Sequence, residues 1–197
     1  MKQVEPLGGR ALKGRFVVLE PLERRHLPEL VEAGRDPSIW TYMPYDTSAG
    51  IGAMLDWHLN ENVEGRMITF AVRRLADDAL VGSTSFLNIV PEHARVEIGS
   101  TWYAPEAQAT AVNPEAKYLL FGHAFGAHYN RVELKTDSKN ARSRAAMTKM
   151  GATEEGTLRG HMWTPQGYFR DTVYFSVVAR EWPAVKARFE ARLAAFA

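Results

Sequence analysis

The sequence predicts one α+β domain, and three observations carry that reading. Short apolar runs of strand length are punctuated by Gly and Pro. Between them lie stretches whose apolar residues recur at three and four. Across Thr101–Met150 the order becomes strand–helix–strand–helix, so a parallel pair joins an otherwise antiparallel sheet. The 197 residues, 46% hydrophobic and 24% charged, match the globular average and suffice for one core.

The elements follow in order. Arg15–Leu19, between Gly14 and Pro21, is a buried strand, and His26–Ala33 is a short helix stopped by Gly34. Pro37–Gly52 has no period but is dense in aromatics (Trp40, Tyr42, Tyr45). Met54, Leu55, Trp57, His58 and Leu59 mark a second helix. Met67–Val72 and Leu80–Leu87, joined by Ala76-Asp77-Asp78, form a hairpin. Arg95–Tyr103 is a strand whose alternation puts Glu97, Gly99, Thr101 and Tyr103 on one face, with Val96, Ile98 and Trp102 on the other. Asn113-Pro114-Glu115 signals a helix start with Asn113 as the N-cap, running to about His128. Arg131–Thr136 is a strand, and Asn140–Met150 a helix closed by Gly151. Strands at about Ala152–Leu158 and Phe169–Val178 flank the turn Pro165-Gln166-Gly167. An amphipathic helix at about 181–196 carries Trp182, Val185, Phe189, Leu193 and Phe196 on one side.

Composition excludes several function classes. Net charge is +1, from 24 basic and 23 acidic residues, without the basic excess of a nucleic-acid binder. The absence of cysteine removes disulfides, thiolate metal sites and cysteine nucleophiles, and it fits a reducing compartment. No apolar stretch reaches the roughly 20 residues of a membrane span, and Met1–Arg10 lacks the apolar core of a signal peptide. The expectation is a soluble, cytoplasmic domain with neither nucleic-acid nor membrane partner. The six histidines are scattered, with His123 and His128 on different helix faces, so no metal is expected. No Gly-x-Ser-x-Gly elbow is present.

Chemistry concentrates where the strand ending at Tyr103 passes through Ala104–Val112 into the Asn113 helix. Small residues let backbone N–H groups approach a ligand, and a helix N-terminus suits a pyrophosphate. The segment is neither a Walker loop nor a GxGxxG fingerprint. A tight strand-to-helix turn explains it equally well.

Together these features resemble the GNAT superfamily of acyl-CoA-dependent N-acetyltransferases, in its RimJ/RimL-like branch. The resemblance rests on Glu97-Ile98-Gly99 with Trp102 and Pro105, and on Gln108–Asn113 at the place of the family's pyrophosphate loop. It rests also on Asn140-Ala141-Arg142-Ser143 followed by Gly151-Ala152 and Glu155-Gly156, and on Arg159 and Arg170-Asp171 in the closing hairpin. It covers about 15–182. It implies a GNAT fold: a mostly antiparallel mixed sheet, flanked by helices and splayed between the fourth and fifth strands. Acetyl-CoA would enter the splay as co-substrate, its pantetheine against the backbone of Thr101, Trp102 and Tyr103. Its pyrophosphate would lie on Gln108, Ala109, Thr110, Ala111, Val112 and Asn113. The loop position usually held by Gly is Ala111, where a positive φ would cost about 1 kcal/mol.

The resemblance also implies roles. Glu97 is the candidate base, against an alternative in which it merely pairs with Arg95. Ser143 is the candidate donor to the departing thiolate, with Tyr129 as rival; a helix-surface serine is the plain alternative. Asn140 binds pantetheine, caps the following helix, or does both. Arg142, Arg144 and Lys149 are candidates for the CoA phosphates. The segment Trp40-Thr41-Tyr42-Met43-Pro44-Tyr45, chiefly through Trp40, Tyr42 and Met43, is the candidate for the acceptor side together with Glu97, although loop aromatics also form satellite cores. His161-Met162-Trp163 could reach the same pocket.

The attacking amine must be neutral. A lysine amine is neutral in about 1 molecule in 2,500 at pH 7, costing about 4.6 kcal/mol, whereas an α-amine costs only about 1–1.4 kcal/mol. This favours N-terminal or amino-acid substrates over a lysine side chain, with polyamines and antibiotic amines left open. A non-catalytic acyl-CoA sensor, and the same fold with another donor such as succinyl-CoA, are the alternatives. The branch implies a homo-oligomer, a dimer favoured; the terminal helix could cover the domain's own core or a second subunit.

Overall fold

The computed structural model describes residues 3–47 and 50–196. In chain order the elements are β1 (Leu12–Lys13), β2 (Val17–Pro21), α1 (Leu27–Ala33), α2 (Ile51–Val63), β3 (Ile68–Arg74), β4 (Leu80–Val90) and β5 (Arg95–Tyr103). They continue with α3 (Val112–Gly126), β6 (Arg131–Asp137), α4 (Ala141–Met150), β7 (Thr153–Trp163), β8 (Phe169–Val178) and α5 (Trp182–Ala194). One eight-stranded sheet has the order β1-β2-β3-β4-β5-β6-β8-β7. Every neighbouring pair is antiparallel except β5–β6, which is parallel and joined through the crossover helix α3. Among the described residues no helix is long and apolar enough to cross a membrane.

The α+β expectation holds, as does the splay. The splayed strands are the expected pair, Arg95–Tyr103 and Arg131–Asp137; they count as the fifth and sixth because the two-residue β1 is too short to leave a periodic signal. The β5–β6 ladder covers only Arg95–Glu97 against Arg131–Glu133. Beyond Glu97 that edge of β5 has no strand partner among the described residues, so its backbone groups stay open to a ligand.

Two cores hold the sheet. One face packs Phe70, Phe86, Val96, Ile98, Leu134 and Phe175 against Leu120 and Phe121 of α3 and Val185 and Phe189 of α5. The other face is covered only in part, where α1 and α2 bring Leu30, Met54 and Leu55 onto Ala71, Leu80 and Trp102. The stripe of α5 thus serves the domain's own core; Phe196 lies past the helix end and is exposed. Gly151 ends α4 at φ 97°, in the left-handed region, as its place after Met150 requires.

The structure corrects two local expectations. Ser100 has φ 49°, and the β4–β5 register slips between Ser83 and Ser85, so β5 carries a bulge. The bulge rotates the strand's far half. Thr101 meets α3 and Tyr103 joins the core of Val96 and Ile98, while Trp102 turns to the face with α1 and α2. The simple alternation therefore fails after Gly99. Second, Asn113 is not the N-cap of α3. The helix begins at Val112 with Ala111 as its cap, and Pro114 sits at its third position, where a missing N–H still costs nothing.

A tertiary contact sets that start. The Glu115 carboxylate, almost fully buried, accepts the backbone N–H groups of Arg15 (2.8 Å), Phe16 (2.6 Å) and Val17 (2.7 Å), tying α3 to β2. Three charge-assisted bonds at one carboxylate outweigh the local preference for an Asn cap. Replacing Glu115 by Ala strands three donors. The variant is expected to lose about 3 kcal/mol of unfolding free energy, read from the midpoint of a urea titration with unchanged slope.

Candidate active site

The bulge is the centre of the site. Ser100 Oγ lies 2.6 Å from the Tyr45 hydroxyl and 3.1 Å from His58 Nε2, so the loop before α2 and α2 itself are pinned to the point where β5 leaves β6. His58 is fully enclosed, and burial pulls its pKa down to about 4, leaving a neutral imidazole at pH 7. Burial raises the pKa of the Tyr45 phenol, which stays protonated.

Glu97 sits one strand-turn before the bulge, 1% exposed. Lys135 Nζ of β6 lies 3.0 Å from its Oε2, and Asn88 Nδ2 donates to the same oxygen at 2.8 Å. The alternative partner Arg95 pairs instead with Glu133. Gly99 leaves room here: a Cβ on it would stand 2.7 Å from Leu87 Cδ1 and 2.9 Å from Glu97 Oε1, so both side chains would have to shift.

The Gln108–Asn113 loop leads off the open end of β5. The backbone N–H groups of Ala109, Thr110, Ala111 and Asn113 have no acceptor among the described residues, and Asn113 Oδ1 is buried without a partner. Free N–H groups at the N-terminus of a fifteen-residue helix fit a pyrophosphate. Strain falls at a different residue from the one expected: Ala111 is right-handed at φ −67°, and Ala109 carries φ 60°. Across the splay, α4 begins at Asn140, whose side chain accepts the Ser143 N–H at 3.0 Å and thus caps the helix. Arg142 spans the mouth by donating to Gln108 Oε1. Both loop and α4 therefore flank the opening.

Several candidates stand elsewhere. Tyr129 is buried at the closed end of the splay, next to the Asn130–Ala94 bond that precedes the β5–β6 ladder. It is fixed there by the turn that ends α3, away from Thr101–Tyr103. Arg144 faces Glu154 on β7, at 3.2 Å, rather than the loop. Trp40 is core: its ring lies 5.2 Å from that of Trp102, and its Nε1 donates to Gly34 O at 2.8 Å. Trp102 shares that core, which leaves its backbone for ligand contact. Met43 packs on the same cluster, and Tyr42 is partly exposed. The hairpin tip reaches this loop through Gln166 Nε2, which donates to Trp40 O at 3.1 Å.

Tyr45 falls within the acceptor-side segment expected from the sequence and Arg170 within the closing-hairpin signature, though neither carries a specific role there; sequence reasoning missed His58 and Lys117 as site residues. Lys117 interrupts the apolar stripe of α3, the one local sign it gave. It is 6% exposed, and its Nζ donates to Thr101 Oγ1 at 2.7 Å, which in turn lies 2.7 Å from Thr84 Oγ1. Burial draws its pKa down to about 7, partly offset by Glu97.

Two outcomes follow. Because the folded pKa of Lys117 lies below that of the unfolded chain, the unfolded state holds the extra proton between about pH 7 and 10, and stability rises with pH across that window. Lys117→Met is expected to flatten this rise and to add about 2 kcal/mol at pH 7, measured by denaturant titration at a series of pH values. Ala109→Gly relieves the left-handed backbone and is expected to add about 1 kcal/mol, visible as a rise of about 2–4 °C in Tm.

Comparison with known proteins agrees with this geometry. Residues 17–153 match the family model described as an acetyltransferase (GNAT) domain. A Bacillus subtilis (strain 168) protein named "Putative ribosomal N-acetyltransferase YdaF" is 33% identical over 113 residues, which is 57% of this chain and 61% of that protein; the match thus spans less than two thirds of that relative. The crystal structure of a GCN5-related N-acetyltransferase from Brucella melitensis superposes with a TM-score of 0.88 at 30% identity, covering 98% of this chain and 89% of that one. Mycobacterium smegmatis RimJ, solved in complex with CoA-disulfide, shares the fold at a TM-score of 0.82 and 21% identity, over 95% of this chain and 97% of that one. The open edge of β5, its bulge and the loop entering α3 are thus set in a fold shared across these proteins, and the chain belongs to the GNAT acetyltransferase family.

Proposed function

We propose that the chain moves an acetyl group from acetyl-CoA to a primary amine by direct attack in a ternary complex. The observation that carries this reading is the bulged, unpaired edge of β5, with free loop N–H groups beyond its end and buried polar groups on the face that α1 and α2 leave partly uncovered. Acetyl-CoA supplies the acyl group as a thioester. The protein supplies position and charge. Gln108–Asn113 and the first turn of α3 hold the pyrophosphate, Asn140 and the β5 edge hold the pantetheine, and backbone N–H at the bulge polarises the carbonyl.

Glu97 receives the amine proton, directly or through water. Its carboxylate is kept in place by Lys135 and Asn88. Ser143, in the first turn of α4, is the donor to the thiolate, and Tyr45 holds the bulge from the acceptor side. An α-amine, already neutral in about one molecule in ten at pH 7, asks little of that base. The B. subtilis relative named as a ribosomal N-acetyltransferase is in keeping with a peptide N-terminus, whereas the more basic amine of a free amino acid would lean harder on Glu97.

Amine-dependent thiol release from acetyl-CoA, scanned over N-terminal peptides, amino acids and small amines, tests the reading. Wild-type protein is expected to turn over with at least one acceptor. Glu97→Gln is expected to lower kcat by about 10²–10⁴. Ser143→Ala is expected to lower kcat while acetyl-CoA affinity holds. Binding of acetyl-CoA without turnover across the panel points to the sensor role, and faster turnover with succinyl-CoA changes the donor.

A further inference from the structure

Four charged side chains meet on the acceptor face near the bulge, and three are already engaged. Glu97 and Lys135 pair with each other. Asp137, 1% exposed, accepts the Lys139 N–H on Oδ1 at 2.8 Å and the Tyr168 hydroxyl on Oδ2. Arg170 is different. It is 3% exposed, its Nε donates to Thr172 Oγ1 at 3.0 Å, and its other donors have no hydrogen-bond partner among the described residues. No carboxylate among them lies within the 4.0 Å of an ion pair. It shares a face of β8 with Thr172 and Tyr174, Thr172 lies opposite Asp137 of β6, and Asp137, Tyr168, Glu97 and Tyr45 are close enough to interact with its charge.

A guanidinium carries five donors in a planar fork; on a side chain only 3% exposed, the terminal donors of Arg170 are poorly hydrated yet not sealed off, so an anion entering from the open face can complete the site. The acids nearby do not do so, since neither Glu97 nor Asp137 lies within ion-pair distance of the guanidinium. The position also selects the ligand. Arg170 shares its surroundings with Glu97 and Tyr45, at the bulge, whereas the phosphate loop lies beyond the end of β5 at the start of α3. An anion at Arg170 therefore belongs to the acceptor rather than to CoA.

We propose that Arg170 binds a carboxylate of the acceptor, which makes the substrate an amine with a carboxylate a few bonds from its nitrogen. The carboxylate meets the guanidinium through two parallel hydrogen bonds, and the amine is directed toward Glu97 and the bulge. The inference rests on the amine-acetyltransferase reading and narrows it. Two sources share this chemistry: the α-carboxylate of a free amino acid, and the side chain of Asp or Glu next to a peptide N-terminus.

The test pairs carboxylates with their neutral twins. One arm compares free amino acids with their carboxamides, and the other compares tripeptides bearing Asp or Glu at the second position with those bearing Asn or Gln. Each is titrated calorimetrically into CoA-loaded protein and assayed for thiol release, with wild type, Arg170→Lys and Arg170→Gln. The carboxylate member is expected to bind at least tenfold tighter to wild type in one arm, and that arm names the source. Arg170→Gln levels the pair, and Arg170→Lys retains part of the preference because the charge stays while the fork is lost. Should Arg170→Gln fail to fold, the wild-type pairs and Arg170→Lys decide. Equal binding within pairs, no binding in either arm, or a preference that survives in a folded Arg170→Gln overturns the proposal. A carboxylate preference in binding without amine-dependent thiol release would overturn the transferase reading alone, and release without the preference this inference alone.

Discussion

The rest of the site depends on one constraint: β5 and β6 run parallel and stay paired only from Arg95–Glu97 against Arg131–Glu133. A parallel pair needs a long crossover, and here α3 supplies it. The helix starts beside the open end of β5, where its unpaired N–H groups lie, and returns the chain to the closed end. The same connection that forces the strands together at one end therefore puts an anion-binding helix terminus at the other. The bulge at Ser100 acts with the splay. It turns Thr101 toward α3 and leaves Ser100 on the opposite face, where Tyr45 and His58 hold it.

Burial of polar groups separates the two sides of the sheet chemically. On the α3 side the exceptional group is Lys117, a lysine whose hydration is lost and whose charge is weakened as a result. On the α1–α2 side Glu97 is paired with Lys135 and Asp137 accepts from neutral donors, whereas Arg170 has no carboxylate at ion-pair distance among the described residues. His58 is neutral for the same reason that Lys117 is weakly basic: desolvation dominates and no carboxylate lies close enough to reverse it.

Much of the fold was legible in the sequence because it is written locally. The apolar runs of β3, β4 and β8, the Asn140 cap with Gly151 ten residues after Ala141, and the stripe of α5 each reflect a period or a terminus that neighbouring residues alone specify. The motif Glu97–Gly99, the Gln108–Asn113 loop and Asn140–Ser143 were likewise visible. What escaped was set by distant contacts. Alternation cannot announce a bulge, so Thr101 and Trp102 were read on the wrong faces. Asn113 has the form of a cap, but Glu115 reaching Arg15–Val17 moved the helix start. Trp40 was indistinguishable from a pocket aromatic until Trp102 was seen against it. Tyr45, two residues past the expected Met43, proved to be the loop residue that reaches the bulge.

In the proposed reading, separate contacts keep the two substrates apart. Arg142, holding Gln108, ties α4 to the phosphate loop on one side of the splay, while Gln166 ties the hairpin tip to the Trp40–Met43 turn on the other. Neither tie involves Glu97, Ser100 or Tyr45. The groups around the bulge are instead fixed by short bonds among themselves and to α2, β4 and β6. Loop changes on the acceptor side can therefore alter which amine is admitted without disturbing the bulge. The phosphate loop can likewise vary, as at Ala109 and Ala111, without moving Glu97. A strand that is bulged, unpaired on one edge and pinned on one face is stiff where bond making occurs, and its surroundings are left free to choose the partner.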